Sequence, residues 1–154
     1  MAQITYRRGK NLPTGAVRAL FRRTWFYDWF TLKETERYLR HALFVASAWD
    51  GRRAVGIATL TGDGRINVEL DALVVDEAYR RRGIGTKLME AVSRKVEALK
   101  PQYFQAQVHK KSTERFYAKF GFVQNKGTWI LEHKGVAQDL RRRASKVRKK
   151  NGRS

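Results

Sequence analysis

One stretch constrains this chain more than any other: Leu73-Val74-Val75-Asp76-Glu77-Ala78-Tyr79, then Arg80-Arg81-Arg82-Gly83-Ile84-Gly85-Thr86. An apolar run ending at Val75 reads as a strand buried on both faces. It enters a loop with three consecutive arginines, and Gly83-Ile84-Gly85 then opens a helix. Ile84, Leu88, Val92, Val96 and Leu99 form one apolar stripe, ended by Pro101. Glycine removes the Cβ that keeps a ligand away from backbone N–H groups. A helix N-terminus offers unpaired donors and partial positive charge. Strand, arginine loop and helix start together predict an anion site for a phosphate-bearing ligand. The spacing matches neither a Walker loop nor the Gly-x-Gly-x-x-Gly dinucleotide fingerprint.

The rest of the pattern places this unit in an α/β or α+β domain whose sheet is mostly antiparallel. Ile4 to Arg8 reads as an opening strand. A helix from Thr14 or Gly15 carries Val17, Leu20, Phe21 and Trp25 at helical spacing, and a second runs from Leu32 to about His41. Between them lie five aromatics in six positions, Trp25 to Phe30. Leu43–Trp49 and Ala54–Leu60 read as a hairpin turning at Asp50-Gly51. From Ile66 the chain alternates, with Ile66, Val68 and Leu70 on one face and Asn67, Glu69 and Asp71 on the other. Tyr103 to His109 reads as a strand, Thr113 to Phe120 as a short helix, and Phe122-Val123 with Trp129-Ile130-Leu131 as a closing hairpin.

The absence of cysteine removes disulfides, thiolate nucleophiles and cysteine metal sites. His41, His109 and His133 are far apart and lack metal-ligand spacing. No apolar run approaches a bilayer span, and no apolar segment follows Arg7, Arg8 and Lys10, so neither an integral membrane protein nor a signal peptide is expected. The expectation is a cytoplasmic protein. Net charge is +19. Residues 135–154 hold eight Lys or Arg against one Asp, with Val136, Leu140, Ala144 and Val147 at helical spacing. Most of the excess nevertheless lies in the first 134 residues. Such a field favours acidic partners: nucleic acid, the ribosome, an anionic membrane or a polyphosphate cofactor. A chain merely kept soluble by charge has the same composition.

Arg80-Arg81-Arg82-Gly83-Ile84-Gly85 resembles the acetyl-CoA signature of the GNAT superfamily of N-acetyltransferases, Gln/Arg-x-x-Gly-x-Gly/Ala. Phe116-Tyr117-Ala118-Lys119-Phe120-Gly121-Phe122 is similar to the same family's Tyr-x-x-x-Gly-Phe segment, at the family's interval from the first motif. The order of elements fits the family from about Ile4 to Lys134. The resemblance implies a GNAT fold over residues 1–134, with fourth and fifth strands splayed apart, and a basic tail over 135–154. It implies that Leu73, Val74 and Val75 pair with the pantetheine arm of acetyl-CoA. The loop Arg80, Arg81, Arg82, Gly83, Ile84, Gly85 and Thr86 would hold its pyrophosphate, and Tyr117 would be the general acid toward the leaving thiolate. A phenol of pKa ~10 facing a thiolate of ~8.5 needs positioning for that role; plain packing beside Phe116 and Phe120 is the alternative. The family often has an asparagine seven residues before the tyrosine, where this chain has Lys110; that side chain or Ser112 would contact the cofactor instead.

The resemblance also implies a carboxylate base on the fourth strand, which makes Glu69 and Asp71 the candidates. His109 is a weaker one. A bulge in that strand is usual for the family, so simple alternation does not decide between the carboxylates. The aromatic run at 25–30 falls where the family shapes its acceptor pocket, or it packs the helix pair against the sheet. Expected, then, is direct transfer of acetyl from acetyl-CoA to a primary amine of unknown class, with no cysteine acyl-enzyme. The alternative is a basic RNA- or ribosome-associating module that binds acyl-CoA without catalysis. Contact with nucleic acid or the ribosome through the basic surface and tail suits both readings. Oligomeric state is left open, a dimer included.

Overall fold

The computed structural model describes residues 3–107, 113–124 and 130–133. His109, Lys110, Ser112, Trp129 and the basic tail, all singled out in the sequence, lie outside them.

The chain begins with β1 (Ile4–Arg8), α1 (Thr14–Thr24) and α2 (Leu32–His41). The hairpin β2 (Phe44–Asp50) and β3 (Arg53–Gly62) comes next, then β4 (Asn67–Val75). A short 3₁₀ turn at Glu77–Tyr79 leads into α3 (Ile84–Leu99), β5 (Tyr103–Gln107) and α4 (Glu114–Ala118). The chain closes with β6 (Phe122–Gln124) and β7 (Ile130–His133). The seven strands form one open sheet in the order β1-β2-β3-β4-β5-β7-β6. Every neighbouring pair is antiparallel except β4 and β5.

Each helix forms where its apolar residues recur on one side and its ends are satisfied. A capping box starts α2: Glu34 N–H donates to Thr31 Oγ1 at 3.1 Å, and Thr31 N–H to Glu34 Oε2 at 2.7 Å. Lys100, left-handed at φ 50°, ends α3 just before Pro101. Trp25 departs from the sequence reading. It is not the last member of the α1 stripe but the residue that stops the helix, left-handed at φ 58° and 83% exposed.

The sheet separates two apolar layers. Val17, Leu20 and Phe21 of α1 and Leu39 of α2 pack on Val45, Trp49, Ile57, Ala72 and Val74. On the other side Ile84, Leu88, Met89, Val92 and Val96 of α3 pack on Ala48, Val55, Ala58, Leu60, Val68 and Leu70. The close approach of α3 depends on Gly56, where a Cβ would lie 3.0 Å from Ile84 Cγ2 and 3.1 Å from Leu88 Cδ1.

Two features of β4 open the sheet to a ligand. Its register with β3 jumps from Leu60↔Leu70 to Thr59↔Ala72, so Asp71 is the extra residue of a bulge. Before the bulge Val68 and Leu70 face α3; after it Ala72 and Val74 face α1 and α2. The second feature is the parting of β4 from β5. Their pairing runs from Asn67↔Tyr103 to Leu70↔Ala106, and no described residue of β5 pairs beyond it.

Candidate active site

The parting of β4 and β5 opens a cleft of about 1020 Å³. Its floor is β4, from Glu69 and Asp71 to Leu73, Val74 and Val75. One wall is the end of α1 and the chain after it, Thr24 to Tyr27. The other combines Gln107 with Thr113, Phe116 and Tyr117 of the α4 region. Tyr79, Arg80, Arg81 and the first residues of α3, Gly83 to Thr86, close the remaining end.

At that end the helix start is open to a ligand. Gly83 is the N-cap of α3 in the left-handed region at φ 76°, and no side chain caps the helix. A Cβ at Gly83 would meet nothing within 4 Å, so the backbone is approachable from outside. The first-turn N–H groups of α3 thus keep their donor capacity and positive end of the dipole. Arg81 is also left-handed, at φ 63°. Arg80 Nε donates to Val75 O at 3.3 Å, tying the loop to the strand it leaves. Arg82 is not among the lining residues; its guanidinium lies 5.2 Å from the Tyr79 ring centroid.

This loop is held from behind by Asp76, which is 4% exposed. Its Oδ2 accepts from Arg23 Nε of α1 and Arg53 Nη2 of β3, both at 2.9 Å, and its Oδ1 from Ala78 N–H at 3.1 Å. Burial alone would raise this carboxyl; the Arg53 bond, the Ala78 amide and Arg23 outweigh burial and hold it below its ordinary value. Among the described residues no other carboxylate is ion-paired.

The two strand carboxylates face the same layer but differ in surroundings. Asp71 accepts from Tyr27 at 2.9 Å and from Tyr38 at 2.5 Å. Tyr38 in turn lies 2.6 Å from Thr59 Oγ1, which accepts from the Ala72 N–H at 3.0 Å. With Tyr38 donating to Asp71, donors run in one direction: Ala72 amide, Thr59 hydroxyl, Tyr38 hydroxyl, Asp71 carboxylate. Burial and the charge of Asp71 push both phenols upward, so both stay protonated as permanent donors. Glu69 accepts no hydrogen bond from any described residue. Burial, then the nearby Asp71 charge, raises its carboxyl above the ordinary value. A carboxylate that is unspent, half-buried and raised suits proton abstraction. Asp71 suits anchoring.

Tyr117 lines the same cleft, its ring against Phe116 at 5.6 Å and Phe122 at 5.7 Å. Burial pushes its phenol up to about 12. Sequence reading missed Tyr27 and Tyr38 as partners of Asp71, because helix-side tyrosines have no motif. The only available signal was the density of aromatics at 25–30. Among the described residues no group of His, Cys, Asp or Glu could hold a metal, and no helix is long and apolar enough to cross a membrane.

An acyl-CoA cosubstrate fits this architecture on three observations: the uncapped start of α3, the flanking Arg80 and Arg81, and the backbone of β4 left without a described β5 partner. Comparison with known proteins points the same way. The chain is similar in structure to a GNAT-family acetyltransferase from Streptococcus pneumoniae TIGR4, with TM-score 0.66 and 27% identity, covering 79% of this chain and 88% of that one. It is also similar to the PaiA N-acetyltransferase of Thermoplasma acidophilum in complex with coenzyme A, at TM-score 0.61 and 17% identity over 84% and 98% of the two chains. Ard1 of Thermoplasma volcanium shares the fold at TM-score 0.63 and 19% identity, over 84% and 93%. No curated protein matches the chain. The model of the GNAT acetyltransferase domain matches residues 9–140, from the end of β1 past the last described strand, and the chain therefore belongs to the GNAT acetyltransferase family.

Proposed function

We propose that this protein transfers acetyl from acetyl-CoA directly to a primary amine, with Glu69 as general base and Tyr117 as hydrogen-bond donor to the leaving sulfur. The observation that carries the reading is that Glu69 and Tyr117, from β4 and α4, line one cleft together with the open N-terminus of α3. Bound with its pyrophosphate on the amides of Arg81 to Thr86, and its arm along Leu73 to Val75, acetyl-CoA supplies an activated acetyl group.

The acceptor arrives as an ammonium and must lose a proton to become nucleophilic. Glu69, raised and without donors, takes that proton directly or through water. The amine nitrogen then bonds to the acetyl carbon, the carbon–sulfur bond breaks, the thiolate leaves, and the nitrogen sheds its second proton to solvent. Tyr117 is fully protonated at neutral pH. Its phenol at about 12 lies well above a free thiol's ~8.5, so complete proton transfer to the sulfur is uphill. Its contribution is a hydrogen bond that strengthens as charge grows on the sulfur, with solvent completing protonation. The test is release of CoA thiol that depends on an added amine, slowed about 10²-fold in Glu69→Gln while acetyl-CoA binding persists. Equal thiol release without any amine would refute transfer.

Contact with nucleic acid is a second proposal, favoured by a groove of about 360 Å³ between β1 and α3. Arg7, Arg8, Lys87 and Arg94 line it against a single acidic residue, Glu90, and none of the four is ion-paired to a described residue. Lys87 lies 5.1 Å from the Tyr6 ring centroid, and Tyr6 is 38% exposed. Cations around an available aromatic face suit single-stranded RNA. Binding of an unstructured RNA should fall steeply with salt, and Arg7→Glu with Arg94→Glu should flatten that slope.

A further inference from the structure

The carboxylates are one pole of the acceptor end of the cleft, and Trp25 is the other. Trp25 lines the cleft, yet is 83% exposed. Its backbone is left-handed at φ 58°, as is that of Tyr27 at φ 47°. Non-glycine residues rarely adopt this conformation, and two within three positions mark a segment held in place by its surroundings. What holds it is visible. Phe26 and Tyr27 pack their rings on Phe21 at 5.6 and 6.1 Å, Tyr27 stacks on Phe30 at 4.6 Å, and Tyr27 reaches Asp71. Trp29, also exposed, still packs its ring on Phe30 at 4.7 Å. Among the aromatics at 25–30, only Trp25 packs on no other ring of the described residues. A rigid aromatic scaffold thus presents one unpartnered indole to the cleft.

We infer that the acceptor is a small arylalkylamine: a primary amine with one positive charge, joined by a short linker to an aromatic ring. This inference rests on the acetyl-transfer reading. The ammonium goes to the floor, where Glu69 and Asp71 are the only carboxylates among the described residues lining the cleft. The ring goes to the indole of Trp25, where two aromatic faces pack offset or edge-on. Acidic acceptors are disfavoured by the carboxylate pair. Polycationic acceptors are disfavoured by the field of a +19 chain and by Arg80 and Arg81 in the same cleft. The chemistry balances without another reactant. The ammonium gives one proton to Glu69, its nitrogen bonds to the acetyl carbon as the carbon–sulfur bond breaks, and the second proton lost from nitrogen passes through solvent to the departing thiolate.

The experiment measures CoA thiol release by the full chain with phenethylamine, 2-cyclohexylethylamine, spermidine and an alanine-initiated tetrapeptide. Phenethylamine is expected to have the highest kcat/KM, about fivefold above its cyclohexyl counterpart, the ratio that an aromatic pair gives beyond area. Trp25→Ala should bring these two amines level, and Trp25→Phe should restore the preference. Trp25 is exposed, so neither variant threatens folding, and calorimetric binding of acetyl-CoA should be the same in both. A preference for spermidine or the peptide, or a ranking unmoved by Trp25→Ala, overturns the arylalkylamine assignment while leaving acetyl transfer intact. Absence of thiol release with every amine overturns both.

Discussion

The Tyr38 hydroxyl lies 2.5 Å from Oδ2 of Asp71, so one of the two strand carboxylates is already hydrogen-bonded before any substrate arrives. Tyr27 occupies the same carboxylate from the loop after α1, at 2.9 Å. Together they join the α1–α2 layer to the bulge of β4 and leave Glu69 as the cleft carboxylate with no hydrogen-bond donor among the described residues.

Exchange of Glu69 for Gln should lower kcat/KM on the order of 10²-fold, the low end for loss of a positioned base. In the unmodified protein the acidic limb of the pH–rate profile should lie above the ordinary glutamate value, because burial and Asp71 raise Glu69. Asp71→Asn removes the like charge, so the limb should move to lower pH. An unchanged limb in Glu69→Gln would assign the base elsewhere.

Tyr38→Phe should destabilise the protein by about 2 kcal/mol in urea unfolding, since it removes a bond to a charged acceptor and strands the Thr59 hydroxyl. Tyr27→Phe, whose hydroxyl serves Asp71 alone, should cost less. The reverse order would mean that the Thr59–Tyr38 link contributes nothing.

For Tyr117→Phe the expected loss is in kcat, roughly 10²-fold, with acetyl-CoA affinity retained. The phenol titrates only at about 12, so no alkaline limb from this residue should appear below pH ~10. A limb near pH ~8 that vanishes in the Phe variant would show instead that the phenol ionises in the working range.

Asp76→Asn should cost about 2 kcal/mol at neutral pH by weakening the bonds of a buried carboxylate to Arg23 and Arg53. The folded-state carboxyl is depressed below its ordinary 3.8, so its stabilisation is fully present above that value and is lost as pH falls through the depressed one. The stability gap between the two proteins should therefore close below pH ~4. A gap constant with pH would place the cost in packing rather than charge.

Much of this was readable in the chain. Repetition near 3.6 residues located these helices closely: α2 and α3 fall where the pattern puts them, because a buried face forces local periodicity on the sequence. The strand–loop–helix unit was equally legible, since Gly83, Gly85 and the arginines form one contiguous stretch between β4 and α3. Trp25 was misread because an apolar residue at helical spacing also suits a helix-stopping position, and only the left-handed turn after Thr24 separates the two.

The sequence by itself determined the order of elements, the strand, arginine loop and helix start, and the family to which these motifs belong, all encoded within short windows. Tertiary structure decided which carboxylate is free, which is bound, and which indole stands unpartnered in the cleft. Those distinctions arise between residues tens of positions apart: Tyr38 meets Asp71 across 33 positions and Tyr27 meets it across 44. They depend on a one-residue bulge in β4, and register of that kind is set by packing on both faces of the sheet rather than by any local pattern.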